Sequence, residues 1–546
     1  MSGDCQPISQ GGPVQESPYR QAIQITDEMR QHCHIYFDEQ LYTSALTLLS
    51  DLVTSGVSHP ESMGRPTFAP VPFHIELISA LLIHPRYTNQ ARPNERLELA
   101  SRSITFLRNA LSILGPLNAG LGEAFFFSPT NGARSSRRSR NMTQNGDDCS
   151  SSDTDDRPEQ MGGVIANKGR IRRCAKDFWH MVGWAFNCSV KYPKRWKYWK
   201  VWLDFMLDVL DADWVERERQ DQLVSDSKKA GREQQPLLRE CLLVKYLSDT
   251  KGRSSAVKRI VRSAFADGSL DSLTEFPEVF ANETKELKVP NGRKRKREDS
   301  TKHHIANYDD EDAGIAMDSS ELTDQTPEPT QVAEDATVVD PWLGGSESIA
   351  LRQRLLMLFS RVSAILPDCF AECVDVYGVM YDCLKVLPVP AFSLLLSPSS
   401  SSQLPVFVVV SLTQFLLLRF LPGNVPLPDS IVDREQDELS QEVLEKCFFP
   451  FAASTSLAAD NAKVSILVEV QFRQFLKSCK CYHSTTLDSA IKKGILAREN
   501  KSKGDKRRRD GGTRVKEEES DREWLRASGE RLRSLLLWVE QHDEGD

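Results

Sequence analysis

Three stretches of this chain lack the side chains to build a core, and they set its organisation before any helix is assigned. Residues 128–165 begin SPTNGARSSRRSRNMTQNGDDCSSSDTDDRPEQMGG, and residues 286–342 pass from GRKRKRED into an acidic tract. Residues 498–520 read RENKSKGDKRRRDGGTRVKEEES. Serine, glycine, asparagine and charge dominate all three, so burial cannot offset the entropy lost on ordering them, and disorder is expected. The rest divides into a disordered N-terminus (1–20), helical hairpins (21–127), a Trp-rich helical segment (166–285), a further helical segment (343–497) and a C-terminal amphipathic helix (521–546). A chain of 546 residues exceeds one ordinary core. Two helical blocks, about 20–285 and 343–541, are therefore expected, tied by the longest linker.

Helical periodicity runs through both blocks. DEQLYTSALTLLSDLVTSG carries Leu41, Ala45, Leu48, Leu49 and Leu52 at the spacing of one helix face, then meets Gly56. NERLELASRSITFLRNALSILG places Leu97, Ile104, Leu107, Leu111 and Leu114 ahead of Gly115, with Asn94 as the expected N-cap behind Pro93. SIALRQRLLMLFSRVSAILPD, SLAADNAKVSILVEVQFRQFLKSC and WLRASGERLRSLLLWVEQH repeat the pattern. PVFVVV is the one good strand candidate, and it lies inside the longer apolar run LPVFVVVSLTQFLLLRFLP. The expected class is all-α, with irregular helical-hairpin or solenoid-like packing. The first 120 residues, with paired helices and Ala/Leu-rich faces, resemble tetratricopeptide-type repeats over one or two hairpins, without that family's 34-residue period.

The formal charge of −8 opposes a general nucleic-acid coat, although local basic patches remain available. MSGDCQPISQGGPVQESPYR has no apolar region of the secretory kind. The apolar run at 404–422 includes Ser411, Thr413, Gln414 and Arg419 and is at the short limit for a bilayer, so it reads as a buried helix. Twelve unevenly spaced cysteines then indicate reduced thiols. Cys479, Cys481 and His483 form one cluster, and Cys369, Cys373 and Cys383 another. Neither has the second ligand pair of a structural zinc site, and no cofactor is expected.

PKRWKYWKVWLDFM, residues 193–206, interleaves aromatic and basic residues as a single-strand binding surface does. On a helix the mixture separates. Trp196, Trp199, Trp202, Leu203, Phe205, Met206, Leu207, Val209 and Leu210 share one broad arc, and Lys197, Lys200, Asp204, Asp208 and Asp211 share the opposite one. Rings apart from cations describe a core helix, with Lys200 and Asp204 as a surface pair. AKDFWHMVGWAFNCSV, with Phe178, Trp179, Val182 and Phe186, supplies the other arm of a hairpin turning at Tyr192–Pro193. The RWKYWKVWLDFM pattern resembles the half-a-tetratricopeptide repeats of RNA-processing scaffolds, with Asp204 where that family prefers glutamate.

No phosphate-binding glycine loop, HExxH helix, nucleophile elbow or kinase motif set is present, and a non-enzymatic protein is expected. His32 and His34 alternate around Cys33, which reads as ordinary helix surface and interior rather than a Cys–His pair. The linkers are more informative. Arg293, Lys294, Arg295, Lys296 and Arg297 form an unbroken basic run suited to importin, with Lys506, Arg507, Arg508 and Arg509 as a second cluster. Ser150 and Ser152 each precede an aspartate by three residues, and Thr326 precedes a proline, so all three are candidate phosphosites whose charge would mask the basic runs.

The resulting expectation is a nuclear scaffold or accessory subunit of a chromatin-associated or DNA-maintenance complex. Its partners would be other subunits of that complex and importin, with weak or indirect nucleic-acid contact through the basic linkers and no membrane. An RNA-processing scaffold and an enzyme of unrecognised class are the alternative readings.

Overall fold

The computed structural model describes residues 17–58, 65–91, 93–126, 165–167, 169–227, 235–248, 254–285, 342–397, 406–428, 439–479, 481–503 and 512–543. The fold is all-α. The first block opens with α1 (Asp27–Asp38), α2 (Tyr42–Thr54), α3 (Pro72–Ile83), α4 (Pro93–Asn118) and α5 (Leu121–Phe125). It continues through α6 (Ile171–Cys174), α7 (Phe178–Lys191), α8 (Pro193–Ser227), α9 (Leu242–Ser248), α10 (Ser254–Ser263) and α11 (Leu270–Glu275). The second block begins with α12 (Ser346–Ile365), α13 (Cys373–Leu384), α14 (Val389–Leu396) and α15 (Val406–Phe420). It ends with α16 (Gln441–Val443), α17 (Ala458–Ser478), α18 (Thr485–Ser502) and α19 (Gly512–Asp543). Among the described residues, strand structure is one short parallel pair, Ala22–Gln24 with Thr67–Ala69.

Local chemistry explains several helix ends. Thr26 accepts a hydrogen bond from the Met29 amide at the start of α1, and Asp177 accepts one from His180 at the start of α7. Pro193 opens α8, where its missing N–H leaves no helical bond unmade. Helix α4 breaks at Gly115, whose φ of 73° favours glycine; a Cβ there would lie 2.5 Å from the Tyr19 ring.

Packing corrects some of the helix faces read from spacing. In α2 the buried positions are Tyr42, Ala45, Leu46, Leu49 and Val53, whereas Leu41 is exposed at the N-cap. The helix starts after Leu41, and its buried stripe runs through Leu46 and Val53 rather than Leu48 and Leu52. Asn94 lies inside α4 rather than capping it. From Val406 onward the PVFVVV run is helical, because its valines belong to α15, which buries Val408, Val409, Leu412, Leu416 and Leu417. No helix among the described residues is long and apolar enough to cross a membrane.

Each block encloses helices on all sides, and in the first α7 is buried continuously from Phe178 to Ser189. In α3 every residue from His74 to Ile83 is buried, with α4 and α5 packed on it. In the second block α17 is enclosed by α14, α15, α18 and α19. Such enclosure makes an irregular bundle rather than a stack of equivalent hairpins. The blocks are not separate bodies: α8 packs on α12, α10 packs on α13, and one apolar core runs from Cys33 to Val539.

The stretch read as a linker at 498–520 is narrower than its composition implied. Helix α18 continues to Ser502 because Arg498 is buried, donating to the carbonyls of Phe449 and Phe451 at 3.2 and 3.0 Å. The helix α19 then begins at Gly512. The stretches 128–164 and 286–341 lie outside the described residues.

The turn at Tyr192–Pro193 joins α7 to α8 as a hairpin, and the aromatic arc of α8 is core: Trp199, Trp202, Leu203, Phe205 and Met206 are fully buried. Trp199→Ala should therefore cost about 3–5 kcal/mol of stability. Lys197→Glu, on the exposed face, should change it by no more than about 0.5 kcal/mol. Thermal or urea unfolding followed by circular dichroism measures both.

Candidate functional site

The basic residues of 193–206 do not form one patch. Lys194 and Lys197 lie at the surface, but Arg195 turns inward and is buried. Its Nη2 donates to Glu283 Oε2 at 2.5 Å and to the Ile83 carbonyl at 2.6 Å. Its Nη1 donates to Thr88 Oγ1 at 2.8 Å and Asn89 Oδ1 at 2.9 Å. The second oxygen of Glu283 accepts from the amides of Val279 and Phe280. Burial pushes the Glu283 carboxyl up, against the pull of Arg195.

The indoles are committed as well. Trp199 Nε1 donates to Glu283 at 3.2 Å and Trp202 Nε1 to Ser79 Oγ at 2.9 Å. Rings sealed in a core with their N–H groups satisfied are not available to stack bases.

From Lys200 onward the polar arc of α8, expected to face water, is instead the seam between the blocks, while Lys197 stays exposed. Arg354 of α12 reaches Asp204, Asp208 and Asp211 at 2.9, 2.8 and 2.9 Å. Lys200 pairs with Glu347 at 2.6 Å rather than with Asp204. Arg361 pairs with Glu218 at 2.8 Å and lies 4.8 Å from the Trp214 ring centre. Glu347, Arg354 and Arg361 recur every seven residues along α12, matching the parallel run of α8. That heptad of charge was the available signal, but its meaning required the partner helix.

The remaining candidates resolve as follows. Arg293, Lys294, Arg295, Lys296, Arg297, Lys506, Arg507, Arg508, Arg509, Ser150, Ser152 and Thr326 all lie outside the described residues. Cys33 is buried, and His34 meets His74 of α3 edge-on, with ring centres 5.0 Å apart. Among the described residues no group of three or more His, Cys, Asp or Glu side chains is placed to hold a metal ion.

One open groove stands out, which sequence reading had not identified. It has a volume of about 730 Å³ and lies between α14, α17 and α19. Ile466, Val470, Leu535, Trp524 and Trp538 supply its apolar lining, and Arg473, Lys477 and Arg531 its cations. Glu469, buried among them, accepts from Arg531 Nε at 2.8 Å, Arg473 Nη2 at 3.0 Å and Ser528 Oγ at 3.0 Å. The chain buries that carboxylate under its own donors and leaves the groove mouth apolar and cationic.

Comparison of the chain with known protein families and with curated proteins finds no match. The class defined by fold and surface is an all-α bundle that carries an apolar, cation-edged groove.

The His74 ring supplies a pH test of the packing. It is fully buried, and neither ring nitrogen has a hydrogen-bond partner among the described residues. Burial, aided by the positive charge of His34 and Arg30, pushes its pKa from 6.5 down to about 3. Below pH 6.5 the unfolded chain gains a proton that the folded chain refuses, so this group's contribution to stability falls as pH drops toward 3. Between pH 7 and 5 the loss should be about 2 kcal/mol. Paired urea titrations of the protein and His74→Leu should show the stability difference shifting by that amount.

Proposed function

We propose that this chain is a non-enzymatic helical scaffold, acting in the nucleus as an accessory subunit of a chromatin-associated or DNA-maintenance complex. The observation that carries the scaffold reading is the groove between α14, α17 and α19. Its aliphatic and aromatic floor with a polar rim has the character of a protein-binding surface. The ionic groups of α8 and α12 favour the same reading, since they are spent on holding helices together.

The nuclear part of the proposal rests on the basic run 293–297 and the cluster 506–509, whose chemistry matches the acidic pockets of import receptors. Changing Lys294, Arg295, Lys296 and Arg297 to alanine should reduce nuclear accumulation of a fluorescent fusion, and adding alanines at Arg507, Arg508 and Arg509 should abolish it. A fully nuclear double-cluster variant defeats the import reading. Crosslinking mass spectrometry from nuclei then tests the complex: repair, replication or histone-modifying subunits support it, and spliceosomal or cleavage factors favour an RNA-processing scaffold.

A further inference from the structure

We propose that the groove between α14, α17 and α19 holds an acidic amphipathic helix of a partner protein. This deepens the scaffold reading and rests on it. Two long helices form the walls with a regular rhythm. Ile466, Val470, Arg473 and Lys477 project from one face of α17, and Trp524, Arg531, Leu535 and Trp538 from one face of α19. Side chains repeating every one or two turns are complementary to a helix presenting apolar residues at i, i+3, i+4 and i+7. The apolar edge is left in water: Trp538 is 47% exposed.

Charge selects the partner. Arg473, Lys477 and Arg531 face one carboxylate, Glu469, so the lining carries a surplus of positive charge. Lys477 makes no ion pair among the described residues. In a chain of net charge −8, this is a cationic site that an acidic segment would seek out. A nucleic-acid strand fits less well. Trp538 already stacks on His542 with ring centres 4.1 Å apart, Trp524 is half-buried, and the floor between them is aliphatic. Successive bases would find no run of free rings.

The test uses the full chain and two fluorescently labelled helical peptides with identical leucine faces, one flanked by glutamates and the other by lysines at the same positions. Anisotropy titration should show saturable binding of the glutamate peptide and at least about tenfold weaker binding of the lysine peptide. Lys477→Glu and Trp538→Ser should each weaken the glutamate peptide by about tenfold while leaving the melting curve unchanged. No saturable binding, equal binding of both peptides, or unchanged affinity in both variants overturns the proposal. So does displacement of the peptide by single-stranded oligothymidine, which would assign the groove to nucleic acid. A tenfold gain in affinity on deleting residues 304–340 would also overturn it, by making the chain's own acidic tract the occupant. Nuclear accumulation is measured separately, so loss of the groove assignment leaves the import result standing.

Discussion

The guanidinium of Arg352 is the point on which the union of the two blocks depends. It is buried, and among the described residues no carboxylate is bonded to it; it donates instead to the carbonyls of Ala264 at 2.7 Å and Ala266 at 2.8 Å. These oxygens lie just past the end of α10, where unpaired carbonyls and the helix dipole present negative potential. The Phe186 ring lies beneath the cation at 4.1 Å, and the Leu343 carbonyl and Ser348 hydroxyl complete its surroundings. Burial lowers its pKa to about 9, a sign of how costly an unpaired charge would be here. Four pieces of chain must therefore arrive together: α7, the end of α10, the turn at 342–344 and α12. Gly344 permits the closest approach, since its φ is 85° and a Cβ would lie 2.3 Å from Ser189 Oγ.

With that point fixed, the length of α8 has a physical reason. Its aromatic face is buried in the first block, and its acidic face meets the arginines of α12. These pairs are partly buried and share three carboxylates around Arg354, a geometry in which removing the cation leaves several like charges in close array. One helix thus provides both the apolar wall of a core and the ionic seam that brings a second block onto it.

The class of fold, the α7–α8 hairpin and the aromatic face of α8 were legible because a wide apolar arc has one stable use, burial against other helices. Helix phase was less legible. Leu41 shares the spacing of Leu48 and Leu49 but precedes the helix, and spacing alone does not locate the first turn. The valines at 406–410 have the preference of a strand, yet they form the first turns of a helix packed on α17, where neighbours outweigh intrinsic preference. The polar arc of α8 was read as solvent-facing because a projection ranks side chains by polarity and is blind to a partner 150 residues away. Arg195 lies among lysines in the sequence, and only the position of Glu283 reveals it as interior. The groove was the least legible feature, since its walls come from segments far apart in sequence and neither helix shows it alone.

The same long-range pairing explains why composition placed the start of the 498–520 stretch wrongly. RENKSKG has the residues of a tail, yet Arg498 and Lys501 extend inward to carbonyls of the turn at 449–453, and those bonds carry α18 a further turn. A buried carbonyl without a donor is costly, so a long basic side chain that can supply one is recruited into the fold wherever geometry allows. Arg352, Arg195 and Arg498 all follow this rule, each donating to backbone oxygens at the ends of segments. Arg473 and Arg531 differ: their partner is a single side-chain carboxylate at the floor of an open groove, and Lys477 beside them is exposed. Cations used to seal the interior in three places are, in this fourth, left beside exposed tryptophan. That contrast in how one residue type is spent separates the groove from the rest of the basic surface.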